Sequence, residues 1–141
     1  MKKIITKKIK DKFPRLAVDV IIEKNGKIVL IKRKNFPKGW AIPGGFVRYG
    51  ETVEMAAVRE AKEETNLRIN SLRLIGVYSD PKRDPRFHVV SIAFSAKGTG
   101  KIKPSSDVED VKLFDVSKIP KLVFDHNKII KDYKSKKKTN K

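Results

Sequence analysis

The chain has 141 residues, a length that fits one domain, and 39% of them are hydrophobic against 35% charged, enough apolar content for a packed core. Cysteine is absent, which excludes disulfides, thiolate metal sites and cysteine nucleophiles. The net charge of +18 gathers at the ends: residues 1–12 carry +5, residues 128–141 carry +6, and the body between carries +7.

Residues 1–12 read as a basic N-terminal extension, 13–133 as a single domain and 134–141 as a Lys-rich tail. No aromatic residues are interleaved with the tail lysines, so solvated ends are favoured over nucleic-acid-binding arms. The longest apolar stretches, such as Ile28 to Ile31, fall far short of the ~18 residues of a membrane span. Lysines interrupt the place where the apolar core of a secretory signal would sit. A cytoplasmic protein with no membrane contact is the expectation.

In chain order, Ala17 to Ile22 and Lys27 to Lys32 are β-branched runs either side of Asn25-Gly26, which predicts a tight hairpin. Pro43 and paired glycines in Trp40 to Gly45 predict an end to regular structure. Thr52 to Thr65 lacks Gly and Pro and predicts a helix, with Thr52 as cap and Glu54 in the first turn. Leu72 to Tyr78 and His88 to Phe94 predict strands around the loop Asp80 to Arg86. Val111 to Val116 predicts a short strand, and Phe124 to Tyr133 a C-terminal helix packing through Phe124, Ile129, Ile130 and Tyr133. The class is α/β or α+β, a mixed sheet with two main helices.

Glu60, Glu63 and Glu64 form an acidic face that, taken alone, reads either as a solvated helix surface or as a set of ligands for a cation. Their i, i+3, i+4 spacing puts Glu63 roughly 60° to one side of Glu60 and Glu64 roughly 40° to the other. Three like charges on one face repel unless a cation joins them, and carboxylate oxygens suit a hard divalent ion. Met55 and Val58 lie nearly opposite and are expected to face the core.

The surrounding spacing is Gly45-x5-Glu51-x7-Arg59-Glu60-Ala61-Lys62-Glu63-Glu64-x-Asn66-Leu67. This resembles the box of the Nudix hydrolases, G-x5-E-x7-R-E-U-x-E-E-x-G-U with U apolar. Asn66 alone departs, standing where the box has its last glycine. A glycine just past a helix takes a left-handed conformation, and Asn is the next best tolerated there, so Asn66 is expected at positive φ. The resemblance implies an α/β/α sandwich around a central mixed sheet.

It also implies roles. Glu60, Glu63 and Glu64 would bind Mg²⁺ or Mn²⁺, joined by the Gly44 carbonyl. Arg59 would hold Glu51 behind them. The family cleaves a nucleoside diphosphate linked to a second moiety, with a metal-activated water attacking phosphorus. Glu63 or Glu64 would take the proton, or a carboxylate outside the box among Asp107, Glu109 and Asp110, of which Glu109 is favoured.

Ile42-Pro43-Gly44-Gly45-Phe46-Val47, Tyr78 to Arg86 and Phe124-Asp125-His126 resemble the ADP-ribose pyrophosphatase branch. That implies cleavage of ADP-ribose to AMP and ribose 5-phosphate, and a homodimer. Arg83 and Arg86 would meet phosphate, and Phe46 or Trp40 would stack on adenine. His88 and His126 read as packing or capping residues. Arg48 fills a free box position where many relatives of the branch carry an acid. Rival substrates are dinucleoside polyphosphates, modified nucleoside triphosphates and capped RNA. A non-catalytic nucleotide- or nucleic-acid-binding module is the rival from another class.

Overall fold

The structure is a computed structural model and describes residues 13–139. The basic extension over 1–12 and the last two residues of the tail lie outside the described residues. The elements are β1 (Arg15–Lys24), β2 (Lys27–Arg33), β3 (Gly39–Ala41), β4 (Gly44–Phe46), α1 (Val53–Thr65), β5 (Arg68–Tyr78), β6 (Val89–Thr99), β7 (Val108–Phe114), a 3-10 turn (Val116–Lys118) and α2 (His126–Thr139).

All seven strands join one mixed sheet. The expected hairpin forms, with Asn25 at φ 53° and Gly26 at φ 73°, the left-handed pair that a two-residue turn demands. Its strands bond only near the turn, where Glu23 faces Ile28 and Lys24 faces Lys27. Farther out they part. β4 then pairs with β1 over Ala17 to Asp19, while β3 and β7 flank β2. β6 runs parallel to β1 from Arg15 to Glu23, and β5 closes that edge.

Alternation along β1 sorts the core into two layers. Val18, Val20 and Ile22 pack with Ala56, Ala57 and Ala61 of α1. Ile21 packs on the other side with Ile129, Ile130 and Tyr133 of α2. Helix, sheet and helix therefore form the expected α/β/α sandwich.

Three expectations are corrected. Trp40 to Gly45 is not free of regular structure, since β3 and β4 form there as short strands against β2 and β1. Met55 and Val58 are exposed, and α1 packs instead through its alanines, whose small side chains bring the helix close to the sheet. The last helix begins at His126, after Phe124 at φ 57°, and runs through Thr139. Residues 134–139, expected as tail, are its last turns. Lys137 and Tyr133 both donate to Glu23, which pins this end of the helix to β1.

Candidate active site

Thr52 caps α1 by accepting from Met55 N at 3.0 Å. Asn66 ends it at φ 70°, as its position required, and donates through its side chain to the Lys101 carbonyl at 2.9 Å. Between these caps the acidic face lies beside the alanine face, so α1 turns carboxylates toward β4.

Gly44 and Gly45 are glycines because nothing larger fits. A Cβ on Gly45 would run into the Glu60 carboxylate, and one on Gly44 into the Val18 carbonyl and Asp19. Gly44 N–H donates to Glu64 Oε1 at 2.8 Å. Burial pushes the Glu64 carboxyl up to about 8, and the charges of Glu60 and Asp19 add to this against Gly44 N–H and Arg33. Burial also raises Glu60, opposed by Arg59 and reinforced by Glu63.

Arg59 ties the box together. It forks onto Glu51 at 2.7 and 2.9 Å, as expected, and also donates to Glu60 at 2.7 Å, Glu63 at 3.2 Å and the Phe46 carbonyl at 3.0 Å. The Arg59 guanidinium and the Arg48 N–H hold the Glu51 carboxyl down at about 2. Glu63 is not gathered with Glu60 and Glu64. It turns outward, where Arg48 stands 3.6 Å away and Arg59 holds the other oxygen. Among the described residues no three acidic or histidine side chains form a finished metal cage. The donor set still fits a hard dication: two half-buried or buried carboxylates, both raised, crowd one stretch of backbone, and a divalent charge relieves that crowding.

The cavity next to these carboxylates is lined by Gly44, Gly45, Phe46, Arg33, Arg86 and Phe124, with Asp19, Arg83, Asp84 and His126 deeper. Arg83 is buried and forks onto Asp125 at 2.9 and 2.7 Å, with Asp19 at 3.6 Å. Arg86 forks onto Asp84 at 3.0 and 2.8 Å and keeps part of its side chain open to the cavity. Arg15 lies 3.6 Å over the Phe46 ring, and Phe87 stacks on it with centroids 6.0 Å apart.

Asp19 interrupts the apolar run of β1 for a reason the sequence did not disclose. It accepts from Ser91 Oγ at 2.5 Å and faces His126 Nε2 at 3.3 Å. Ile42 N–H donates to the other His126 nitrogen at 3.0 Å, so Nε2 carries the proton toward Asp19. Burial alone would raise Asp19; His126, Ser91 and Arg83 outweigh it and hold the carboxyl below its ordinary value. His126 is thus a packing residue, and His88 Nε2 contacts only the Ser79 carbonyl, at 3.0 Å.

Two expected residues stand apart. Trp40 does not line the cavity, because its ring meets Phe114 edge-on at 5.0 Å within the α2-side core. Glu109 is exposed on β7, at a bulge opposite Lys32 and Arg33. Sequence reasoning missed Arg33, Asp84 and Phe87 altogether. Arg33 donates to the Pro37 carbonyl at 2.8 Å, and burial, with Arg86 nearby, lowers its pKa.

Comparison with known proteins agrees with this geometry. The ADP-ribose pyrophosphatase of Methanocaldococcus jannaschii is 55% identical, over 94% of this chain and 83% of its own length. The NUDIX domain of Shewanella oneidensis NrtR, solved with ADP ribose, superposes with a TM-score of 0.77 at 26% identity over 88% of each chain. A bifunctional NMN adenylyltransferase/ADP ribose pyrophosphatase from Francisella tularensis, complexed with AMP and a manganese ion, gives 0.77 at 26% identity over 94% of this chain and 46% of that one. The NUDIX domain pattern itself matches residues 13–133, and with the box folded around its paired glycines the chain belongs to the Nudix family.

Proposed function

We propose that this Nudix pyrophosphohydrolase splits ADP-ribose with water into AMP and ribose 5-phosphate, using Mg²⁺, with Mn²⁺ as substitute. The observation that carries the reading is the pair of raised carboxylates, Glu60 and Glu64, packed against Gly44-Gly45 beside a cavity edged with arginine and phenylalanine. The 55% identity to an ADP-ribose pyrophosphatase supports the choice of substrate.

When bound, the dication offsets pyrophosphate charge and acidifies a water. Glu60 and Glu64 would hold it with the Gly44 carbonyl, and Glu63 would swing in from Arg48. Arg59 positions Glu60 and Glu63 while Glu51 anchors it. Glu63 or Glu64 accepts the proton of the attacking water; Glu109, exposed on β7 away from the cavity, would do so only after that strand's bulge moves toward it. Arg86 meets phosphate from the cavity wall, and Arg83, spoken for by Asp125, anchors the loop that carries Arg86. Phe46 or Phe124 stacks on adenine; Trp40, packed on Phe114, does not.

A homodimer and a cytoplasmic location belong to the same proposal. Leu74 and Val77 are exposed on the edge strand β5, a surface suited to a second copy. The test is a Mg²⁺ assay of ADP-ribose beside a dinucleoside polyphosphate, an oxidised nucleoside triphosphate and a capped transcript. AMP and ribose 5-phosphate from ADP-ribose are expected. ADP-ribose left intact while another compound is cleaved overturns the substrate assignment.

A further inference from the structure

At the far end of the sheet, the Asn25-Gly26 turn, the ends of β5 and β6 and the last turns of α2 enclose a second cleft of about 870 Å³. Along β1 its rim at Lys24 lies five residues from Asp19 of the candidate active site, roughly 17 Å at the rise of a strand. Seven lysines and a single carboxylate, Glu23, line it.

The lysines arrive from three elements. Lys131, Lys134 and Lys138 form an i, i+3, i+7 stripe on α2. Lys24 and Lys27 face them from the hairpin, and Lys97 from β6. Glu23 forms an ion pair with none of these six: the Tyr133 hydroxyl and Lys137 at 2.9 Å hold it, and Lys97 acts on it only from longer range. Among the described residues the six ammonium groups have no carboxylate within ion-pair distance.

Cations near a helix C-terminus offset its dipole, which accounts for lysines in the last turn of α2. That effect fades within a turn and does not reach Lys24, Lys27 or Lys97. Bringing them to the same cleft adds like-charge repulsion that the apolar core does not require. A bound polyanion removes that cost.

The lining also limits the kind of anion. No aromatic face is open to it, because Tyr133 is buried with its hydroxyl committed to Glu23. Bases would find nothing to stack on. Lysine acts as a point charge toward phosphate without reading a planar group. Six such charges spread over three elements match phosphates in series better than one phosphate.

We propose that this cleft binds a linear chain of phosphates, independently of the hydrolase site. The experiment measures fluorescence anisotropy of the full chain with labelled inorganic polyphosphate and, separately, with a labelled single-stranded RNA, over a salt series. Two variants accompany it: Lys131→Ala with Lys134→Ala and Lys138→Ala, and a control removing as many exposed lysines elsewhere, Lys118→Ala with Lys121→Ala and Lys128→Ala. Polyphosphate should bind. The cleft variant should bind about tenfold or more weakly, with a shallower salt slope by roughly 2, while the control stays within about twofold. Binding of polyphosphate, with or without RNA, supports the proposal; binding of RNA alone overturns it, because the lining offers a base nothing beyond what it offers phosphate. No binding of either chain, or equal loss in both variants, overturns the proposal. So does a parallel loss of ADP-ribose hydrolysis in the cleft variant. Binding is read without turnover, so failure of the substrate assignment leaves the result intact.

Discussion

Glu64 and Asp19 approach the same backbone from opposite faces of the sheet, and their surroundings treat them in opposite ways. Gly44 touches both, donating to Glu64 and leaving no room for a Cβ beside Asp19. Asp19 is enclosed by Ser91, His126 and Arg83, and its carboxyl is held low. Glu64 is buried with one N–H, the more distant charge of Arg33 and two acidic neighbours, and its carboxyl rises to about 8. A buried carboxylate with its partners in place is scaffold. One left short of positive charge is the kind of group that functional sites carry.

The largest effect expected is on turnover. Glu64→Gln and Glu60→Gln should each lower kcat by on the order of 10²–10³-fold, the scale of losing one principal electrostatic stabiliser, with circular dichroism unchanged. Near-normal rates in both would dissolve the contrast. Next comes Arg83→Ala, which strips a buried guanidinium from Asp125 and Asp19. It should cost about 3–5 kcal/mol, seen as a fall of roughly 10 °C in Tm, because the remaining carboxylates stay partly buried without it.

The pH dependence of stability sharpens the comparison further. In metal-free protein Glu64 titrates near 8 when folded and near 4.5 when unfolded, so stability falls as pH rises through that window. Asp19 has the opposite sign: its contribution is full above 3.8 and is lost as pH falls through the lower folded value. Thermal melts with chelator should therefore peak on the acid side of neutrality. Glu64→Gln should flatten only the alkaline limb, raising Tm by a few degrees at pH 9. A melt that keeps rising to pH 9 in the parent protein contradicts this. The smallest effect is at the helix end, where Asn66→Ala should cost about 1 kcal/mol by denaturant titration and Asn66→Gly much less.

Much of this site was legible because its spacing is local. The box places Glu51, Arg59 and Glu60 within one loop and two helical turns; the Arg59–Glu51 fork was implied by the resemblance to the box, and that short separation lets it close. Asn66 could be read from the stereochemistry of a helix end. What stayed hidden depends on distant pairings. Arg83 looked available for phosphate, yet its fork is filled by Asp125, 42 residues away. Asp19, an acid within an apolar strand, has its partners in Ser91 of β6 and His126 of α2, far along the chain. Helix α1 misled for another reason. Its largest apolar residues, Met55 and Val58, suggested a core face, but close packing against the sheet went to alanine.

Asn66 has one more role, beyond tolerating its backbone angle. Its amide grips the Lys101 carbonyl, and Thr65 next to it accepts from Lys103 N at 3.0 Å. The segment so fastened leads directly into β7 and Glu109. Where a glycine would offer only a bend, this chain has a rivet, so the end of α1 is tied by a side chain as well as by backbone to the segment that precedes β7.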